Sequence, residues 1–316
     1  MGNYIDRDDQ HDGIDRRGFL KCMAWAGTGI VWTAAAGLLS SKRLGTLAQD
    51  ASASATFSFV QISDSHIGFD KEPNKDVVST LREAVRRVNS LPVSPEFVIH
   101  TGDLTQLSKP AEFDTLEQVL KEMKAGHVFF VPGEHDMLDD TGAEFLRRHG
   151  KGTKGQGWYS FDHRGVHFIG LVNVVNLKAG GLGLLGEEQL QWLERDVRHL
   201  PASTPLVVFA HIPLWAVYPQ WGWGTDDSAR ALSYLKRFGS VTVLNGHIHQ
   251  VLQKVEGNVR FHTAMSTAFP QPAPGAGPGP GPMKVPADRL RQLLGLTDVD
   301  YIERGQALAV VDTPLE

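Results

Sequence analysis

The chain has 316 residues, 41% of them apolar, and a formal net charge of -5. That is enough for one large domain or two small ones, and there is no basic block to track a nucleic-acid backbone, so the electrostatic footprint of a DNA or RNA binder is missing. A single cysteine, Cys22, excludes an intrachain disulfide and a metal site built from thiolates.

Chain order begins with a targeting segment. Arg16-Arg17-Gly18-Phe19-Leu20-Lys21 precedes an uncharged, Ala- and Gly-rich run over residues 22–41, and small residues follow at Thr46, Ala48, Ala51, Ala53 and Ala55. A twin arginine, a modest apolar run and A-x-A-like sites together resemble a bacterial twin-arginine (Tat) export signal. The expectation is a signal peptide and short linker over residues 1–55, the twin-arginine export machinery as a partner, and a periplasmic or secreted protein. Asp15 departs from the Ser or Thr usual before the arginines. Cleavage after Ala48, Ala53 or Ala55 leaves no membrane span; retention of the segment would leave an N-terminal anchor, although the run is short for a bilayer.

From Thr56 onward strand and helix patterns alternate. Residues 57–63 predict a strand, and residues 74–89 predict a helix with Val77, Val78, Leu81, Val85 and Val88 on one face. Residues 97–101 predict a second strand, 111–124 a second helix and 127–131 a third strand. Such alternation is the signature of a layered α/β fold with parallel pairing. Residues 158–161 and 166–172 then flank Asp162-His163-Arg164-Gly165 and read as a hairpin. A helix is predicted over 186–199, with Leu190, Leu193 and Val197 facing inward. Strands are predicted over 205–210, 241–244, 251–255, 259–263 and 307–311. The Pro/Gly-rich stretch 270–282 predicts an irregular loop, followed by a short helix over 287–294. No linker divides residues 56–316, which are expected to form one domain.

The polar residues fall at the ends of these runs. Asp64 and His66 follow the first strand, Asp103 the second, and Glu134, His135 and Asp136 the third; His211 follows 205–210, and His247 and His249 follow 241–244. In α/β sheets, ligands collect outside the carboxyl ends of the strands. The i, i+2 spacing of Asp64-x-His66 and His247-x-His249 sends both side chains to one side of an extended backbone. Gly102, Gly133 and Gly246 stand just before ligand positions and permit close approach. Carboxylates and imidazoles from five stretches can wrap two divalent ions with one carboxylate shared between them.

Singly these signals are weak, since a Gly-Asp after a strand is usually only a turn. Five in one order are strong. Here the chain resembles the calcineurin-like metallophosphoesterases, whose pattern is D-x-H, GD, GN-H-[DE], H and GH-x-H, from about residue 57 to 249 and beyond. The resemblance implies an α/β fold, a four-layer αββα sandwich of two mixed sheets flanked by helices, with the metal site at the carboxyl ends of the strands. It further implies two divalent ions (Fe, Mn, Zn or Co). Asp64, His66 and His249 would hold one, His211 and His247 the other with Glu134 in the place of the family's Asn, and Asp103 would bridge both. His135 would lie near the leaving-group oxygen as acid or transition-state stabiliser, and Asp136 would orient it. Activated water would attack phosphorus in line.

Glu134 departs from the family pattern. Ionised, it adds a negative charge and cannot donate a hydrogen bond as the Asn amide can. Three readings compete: Glu134 ligates the second metal, which we favour; it compensates a trivalent ion such as ferric iron; or it weakens the second site until the protein is mononuclear or inactive. Gln106 stands where purple acid phosphatases carry a ligating Tyr, so ferric–tyrosinate colour is not expected. The size and layout look more like the bacterial cyclic-nucleotide and glycerophosphodiester phosphodiesterase branch.

The function expected is an exported metal-dependent phosphoesterase, a phosphodiesterase or phosphatase, acting on a small-molecule phosphate ester. The alternative is a non-catalytic protein on the same scaffold that captures phosphoesters, its chemistry blunted by Glu134. Among other conspicuous residues, His100 and Asn173 are read as support behind the ligands. His262 is read as a residue of the site rim, and His149, His163, His167 and His199 as surface or capping residues. Trp215, Tyr218, Trp221 and Trp223 follow His211 and leave open whether they wall the site or pack a surface loop.

Overall fold

Strand β3 (Phe57–Ile62) is apolar on both faces, and that sets the layering of the computed structural model. Described are residues 30–35, 38–43, 56–138, 140–175, 177, 180–302 and 307–316. Within residues 1–50, which form a unit of their own, β1 (Ile30–Ala35) pairs antiparallel with β2 (Leu38–Arg43), Ile30 opposite Arg43. The Arg16-Arg17 motif and the small residues at 46–55 lie outside the described residues. No described helix is long and apolar enough to cross a membrane.

The other unit, residues 51–316, holds two sheets. In the first, β3 pairs in parallel with β4 (Phe97–His100), and β4 with β5 (Val128–Phe130); β12 (Gly295–Ile302) runs antiparallel to β3, and β13 (Ala307–Pro314) antiparallel to β12. The second has β7 (Val166–Gly170), β8 (Leu206–Ala210), β9 (Val241–Asn245) and β11 (Val259–Thr263) parallel in that order. It is edged by antiparallel β6 (Tyr159–His163) and β10 (Gln253–Glu256).

Side-chain alternation sorts the core into three layers. Phe57 and Phe59 of β3, Phe97 and Ile99 of β4, Val207 and Phe209 of β8 and Leu244 of β9 meet between the sheets. Outside the first sheet, Val60 and Ile62 pack against helices α1 (Val77–Asn89), α2 (Pro110–Leu120) and α3 (Ala143–His149) through Leu81, Val85, Phe113, Leu116 and Phe145. Outside the second, Leu206, Val208 and Val243 meet Leu190, Leu193 and Val197 of α4 (Glu187–Val197) and Ala231 and Leu235 of α5 (Ser228–Leu235). Each fully buried Leu or Phe contributes about 1.5–3 kcal/mol, so strands apolar on both faces can settle only between two such layers. The αββα sandwich of two mixed sheets is the architecture that the family resemblance implied, and the parallel strands are those that the strand–helix alternation predicted.

Local signals fix the helix starts. Asp76 caps α1 by accepting from Ser79 N at 2.9 Å. Pro110 opens α2, and Glu112 reaches back to Leu107 N at 2.8 Å. Three elements escaped the sequence pattern. Helix α3 has only seven residues, α5 eight, and β12 reads Gly-Leu-Thr-Asp-Val-Asp-Tyr-Ile, whose polar positions blur the apolar run. The helix predicted over 287–294 is the short α6 (Ala287–Leu290).

Candidate metal centre

Because β3, β4 and β5 are parallel in one sheet and β8 and β9 in the other, five carboxyl ends open on the same rim. Beneath it a buried polar network joins the sheets. Gln61 Nε2 donates to Thr101 Oγ1 (2.9 Å) and to the Asn245 carbonyl (3.1 Å), and Asn245 Nδ2 donates to the Ala210 carbonyl (2.8 Å). Asp64, His66, Asp103, His247 and His249 all take positive φ, between 41° and 70°. That conformation costs roughly 1–2 kcal/mol per non-glycine residue and persists only where surrounding contacts impose it. Here they do. Asp64 N donates to the Gly102 carbonyl (3.0 Å), His66 N to that of Asp103 (2.9 Å), and His247 N to Asp64 Oδ1 (3.1 Å). A Cβ at Gly133 would run into Asp103 Oδ1, and one at Gly246 into Ser63 and Asp64.

The side chains gather into two groups that share a carboxylate. Asp64 Oδ1 and His66 Nε2 each lie 3.2 Å from His249 Nε2. Glu134 Oε2 lies 2.9 Å from His211 Nε2, and its Oε1 3.0 Å from His247 Nδ1. Between them Asp103 Oδ2 faces a ring from each group, 3.5 Å from His66 Nε2 and 3.3 Å from His211 Nε2.

Whether these residues fit cations is decided by the far side of each imidazole. His211 Nδ1 is 2.7 Å from the Thr101 carbonyl and His249 Nδ1 2.6 Å from the Phe269 carbonyl. A carbonyl only accepts, so each neutral ring carries its proton on Nδ1 and presents a lone pair at Nε2. His66 Nδ1, 3.1 Å from Gln106 Oε1, follows the same pattern. Three bare nitrogens therefore face oxygens of Asp64, Asp103 and Glu134, and the buried Glu134 Oε2 has no hydrogen-bond donor. Lone pairs set against lone pairs repel unless a positive charge lies between them. Imidazole and carboxylate together suit Fe, Mn, Zn and Co. Without a cation a proton on His211 answers the carboxylates in its place, whereas His66 stays bare. Burial drives His66 down to about 3. Burial also opposes charge on His211, yet Asp103 and Glu134 outweigh it and raise this imidazole well above its ordinary value. Burial likewise opposes ionisation of Glu134, and His247 and His211 overcome it and hold the carboxyl well below its usual range.

His135 stands beside this set, its ring 4.7 Å from that of His66. Its backbone N donates to Asp103 Oδ1 (2.9 Å), and its Nδ1 donates to the Gln106 carbonyl (2.8 Å), leaving Nε2 available. Burial lowers its pKa, but Asp103, Glu134 and that carbonyl prevail and raise it. Asp136, expected to orient His135, spends its carboxylate elsewhere. It accepts from Leu104 N (3.0 Å), Thr105 N (2.9 Å), Thr105 Oγ1 (2.8 Å) and Gly133 N (2.9 Å), lacing the Asp103 loop to the Glu134 loop. The reason is depth: Asp136 is fully buried under loops whose N–H groups have no other acceptor.

His100 and Asn173 are placed behind the ligands, His100 Nε2 2.8 Å from Ser65 Oγ and Asn173 Nδ2 2.8 Å from the Ile212 carbonyl. His262 is not at the rim; it lies buried 3.0 Å from Asp312 Oδ2, where β11 meets β13. His167 is buried as well, bonded to Asp162 (2.7 Å) and Asp196 (2.9 Å), and His149 packs on Phe130. Gln106, which holds both His66 and His135, was noticed in the sequence only as a missing Tyr. The Phe269 and Thr101 carbonyls left no signal, because every residue has one.

Above the metal ligands lies a cavity of about 620 Å³, bordered by Trp221, Trp223 and the Pro/Gly stretch at Pro280 to Pro282. Trp215 instead packs on Phe261, so the tryptophans divide between wall and core.

A family model described as calcineurin-like phosphoesterase matches residues 57–251. The chain belongs to that family. Matching relatives are named as phosphodiesterases and phosphatases, which are hydrolases, and a "3',5'-cyclic-nucleotide phosphodiesterase alr5338" of Nostoc is 25% identical over 218 residues, 67% of this chain and 79% of that protein. "Probable glycerophosphodiester phosphodiesterase GpdQ" of Arcobacter nitrofigilis is 27% identical over 161 residues, which cover 49% of this chain and only 57% of the relative's length. Among solved structures, a dimetal phosphatase from Danio rerio superposes with a TM-score of 0.62 at 14% identity, over 83% of this chain and 97% of that one, a likeness of fold.

Proposed function

We propose that this calcineurin-like phosphoesterase is a dinuclear, metal-dependent phosphodiesterase. The observation that carries the reading is the placement of Asp103 Oδ2 between His66 Nε2 and His211 Nε2, with a separate carboxylate–imidazole group on either side. When bound, two cations supply Lewis-acid polarisation of the phosphoryl group and lower the pKa of the attacking water. The remaining work belongs to the chain. Asp64, His66 and His249 would hold one ion, Glu134, His211 and His247 the other, and Asp103 would serve both. Three carboxylates against four positive charges leave the centre one charge short of neutral, suited to a phosphodiester monoanion. His135, fixed at Nδ1 by the Gln106 carbonyl, holds a proton at Nε2 and delivers it to the departing oxygen. The names of the Nostoc and Arcobacter relatives favour a diester over a monoester.

The test is metal content per chain, measured together with hydrolysis of bis-p-nitrophenyl phosphate on the same sample. Two metals, and turnover that falls about 10²–10⁴-fold in His135→Ala with metal content unchanged, is the expected result. One metal or none, without turnover after Mn, Fe, Zn or Co is restored, would hand the protein to the capturing role. We further propose export, on the strength of Arg16-Arg17, the uncharged run that follows it and the small residues at 46–55. Cell fractionation should find the native chain outside the cytoplasm and an Arg16→Lys/Arg17→Lys chain within it; equal distributions would refute this.

A further inference from the structure

The cavity over the metal centre is polar at its floor and apolar around its sides. His66, Asp103, Glu134 and His247 form the floor. One side is Phe69 and Phe269, rings 4.5 Å apart, with Phe269 also 4.8 Å from the ring of His66. A second is Met137, Val175 and Leu177, packed on buried Val174 and Ile212 and so fixed in place. A third is Trp221, held edge-on to Trp223 at 5.1 Å. Leu138, at the mouth, is 58% exposed, a large apolar side chain left facing water. Among the described residues lining the cavity there is no lysine and no arginine; apart from the floor and His135, Gln106, Thr141 and Gln271 are its polar side chains.

Apart from the floor and His135, none of the described lining residues carries a cation to meet a second phosphate or another anionic group, which would lose its hydration against them. A nucleoside diphosphate or triphosphate finds no cation among these described residues, whereas an alkyl or aryl group replaces water against the aromatic and aliphatic walls. Resting on the diesterase reading above, we propose that the substrate is a phosphate ester bearing one phosphate and an uncharged, apolar organic group, which lies between Phe69/Phe269 and Trp221 while the phosphate meets the metals. The metals then supply affinity for the phosphate alone, and selection among esters rests with the aromatic and aliphatic walls.

Methyl, butyl and octyl p-nitrophenyl phosphate test this on the metal-loaded full chain, with 4-phosphobutyl p-nitrophenyl phosphate as the charged counterpart of the butyl ester. Each fully buried methylene multiplies binding about fourfold, so a rise in kcat/KM of at least about tenfold from methyl to octyl needs only two of the seven added methylenes to be buried. The terminal phosphate should lower kcat/KM at least about tenfold below that of the butyl ester. Trp221→Ala and Leu138→Ser should both shrink the octyl-to-methyl ratio, a quantity that cancels partial loss of folded protein. A flat series, or a terminal phosphate that is tolerated, overturns the apolar substrate class while leaving the diesterase reading intact. No turnover of the methyl ester at any metal loading overturns the diesterase reading and this inference with it.

Discussion

Replacing Asp136 separates two ways in which it can serve the site. Its carboxylate accepts four hydrogen bonds, three of them from the backbone N–H groups of Leu104, Thr105 and Gly133, at a position with no solvent exposure. In Asp136→Ala the Thr105 hydroxyl can turn to another acceptor, but the three N–H groups cannot. Each buried donor left unmet costs about 1–3 kcal/mol, and water entering the vacated space returns part of it, so the loss should be about 3–5 kcal/mol. For a unit of this size 1 kcal/mol moves Tm by about 2–4 °C, which places the fall near 10 °C. Asp136→Asn keeps one oxygen and turns an amide N–H towards two donors, so it should fall between wild type and Ala. Since the bonded loops carry Asp103 and Glu134, metal content should fall together with Tm. The assay is thermal unfolding by circular dichroism alongside metal analysis and kcat. A variant that melts within about 2 °C of wild type, keeps both metals and loses only kcat would refute the lacing role and restore Asp136 as a partner of His135.

Glu134→Asn should preserve or raise phosphodiesterase activity, because Asn keeps a carbonyl oxygen for the ion and regains a donor towards the phosphate; complete loss of turnover with metal content intact sinks that equivalence. Chelation should lower Tm, since it leaves the buried carboxylates of Asp64 and Asp103, and that of Glu134, without their cations and the bare Nε2 of His66 among them, and restoring metal at about 100 times its Kd should return about 2.7 kcal/mol; a Tm indifferent to chelator means the cluster needs no cation. Burial opposes charge on His167, but its bonds to Asp196 and Asp162 raise its pKa above 6.5. A raised folded-state pKa contributes stability that is full below pH 6.5 and is lost as pH climbs through the folded value, so Tm should decline above pH 6.5 by less in His167→Gln than in wild type. Identical pH profiles for the two proteins would remove His167 from the ledger.

Most of the ligand set was legible as spacing. Asp64-x-His66 and His247-x-His249 follow runs such as Phe-Val-Gln-Ile and Val-Thr-Val-Leu, and a ligand that follows a strand can be read from residues adjacent in the chain. The two-faced strands were legible for the same reason, since runs such as Leu206–Ala210, apolar at every position, leave no side for water. Elements of seven or eight residues were not, because α3 and α5 complete barely two turns and β12 interleaves Thr297, Asp298 and Asp300 with its apolar positions.

Local pattern was enough to pick out the candidate metal ligands, their order along the chain, and the alternating strands and helices that carry them. Their partners came from the fold. Backbone carbonyls of Thr101 and Phe269 set the tautomers of His211 and His249, Gln106 supports both His66 and His135, Asp136 is turned from His135 to the loop amides, and Phe69 meets Phe269 across about 200 positions of chain. Ligand identity is a property of a side chain and its near neighbours in the chain. Protonation, orientation and the shape of a cavity are properties of whatever the fold brings within a few ångströms, and no local pattern encodes that.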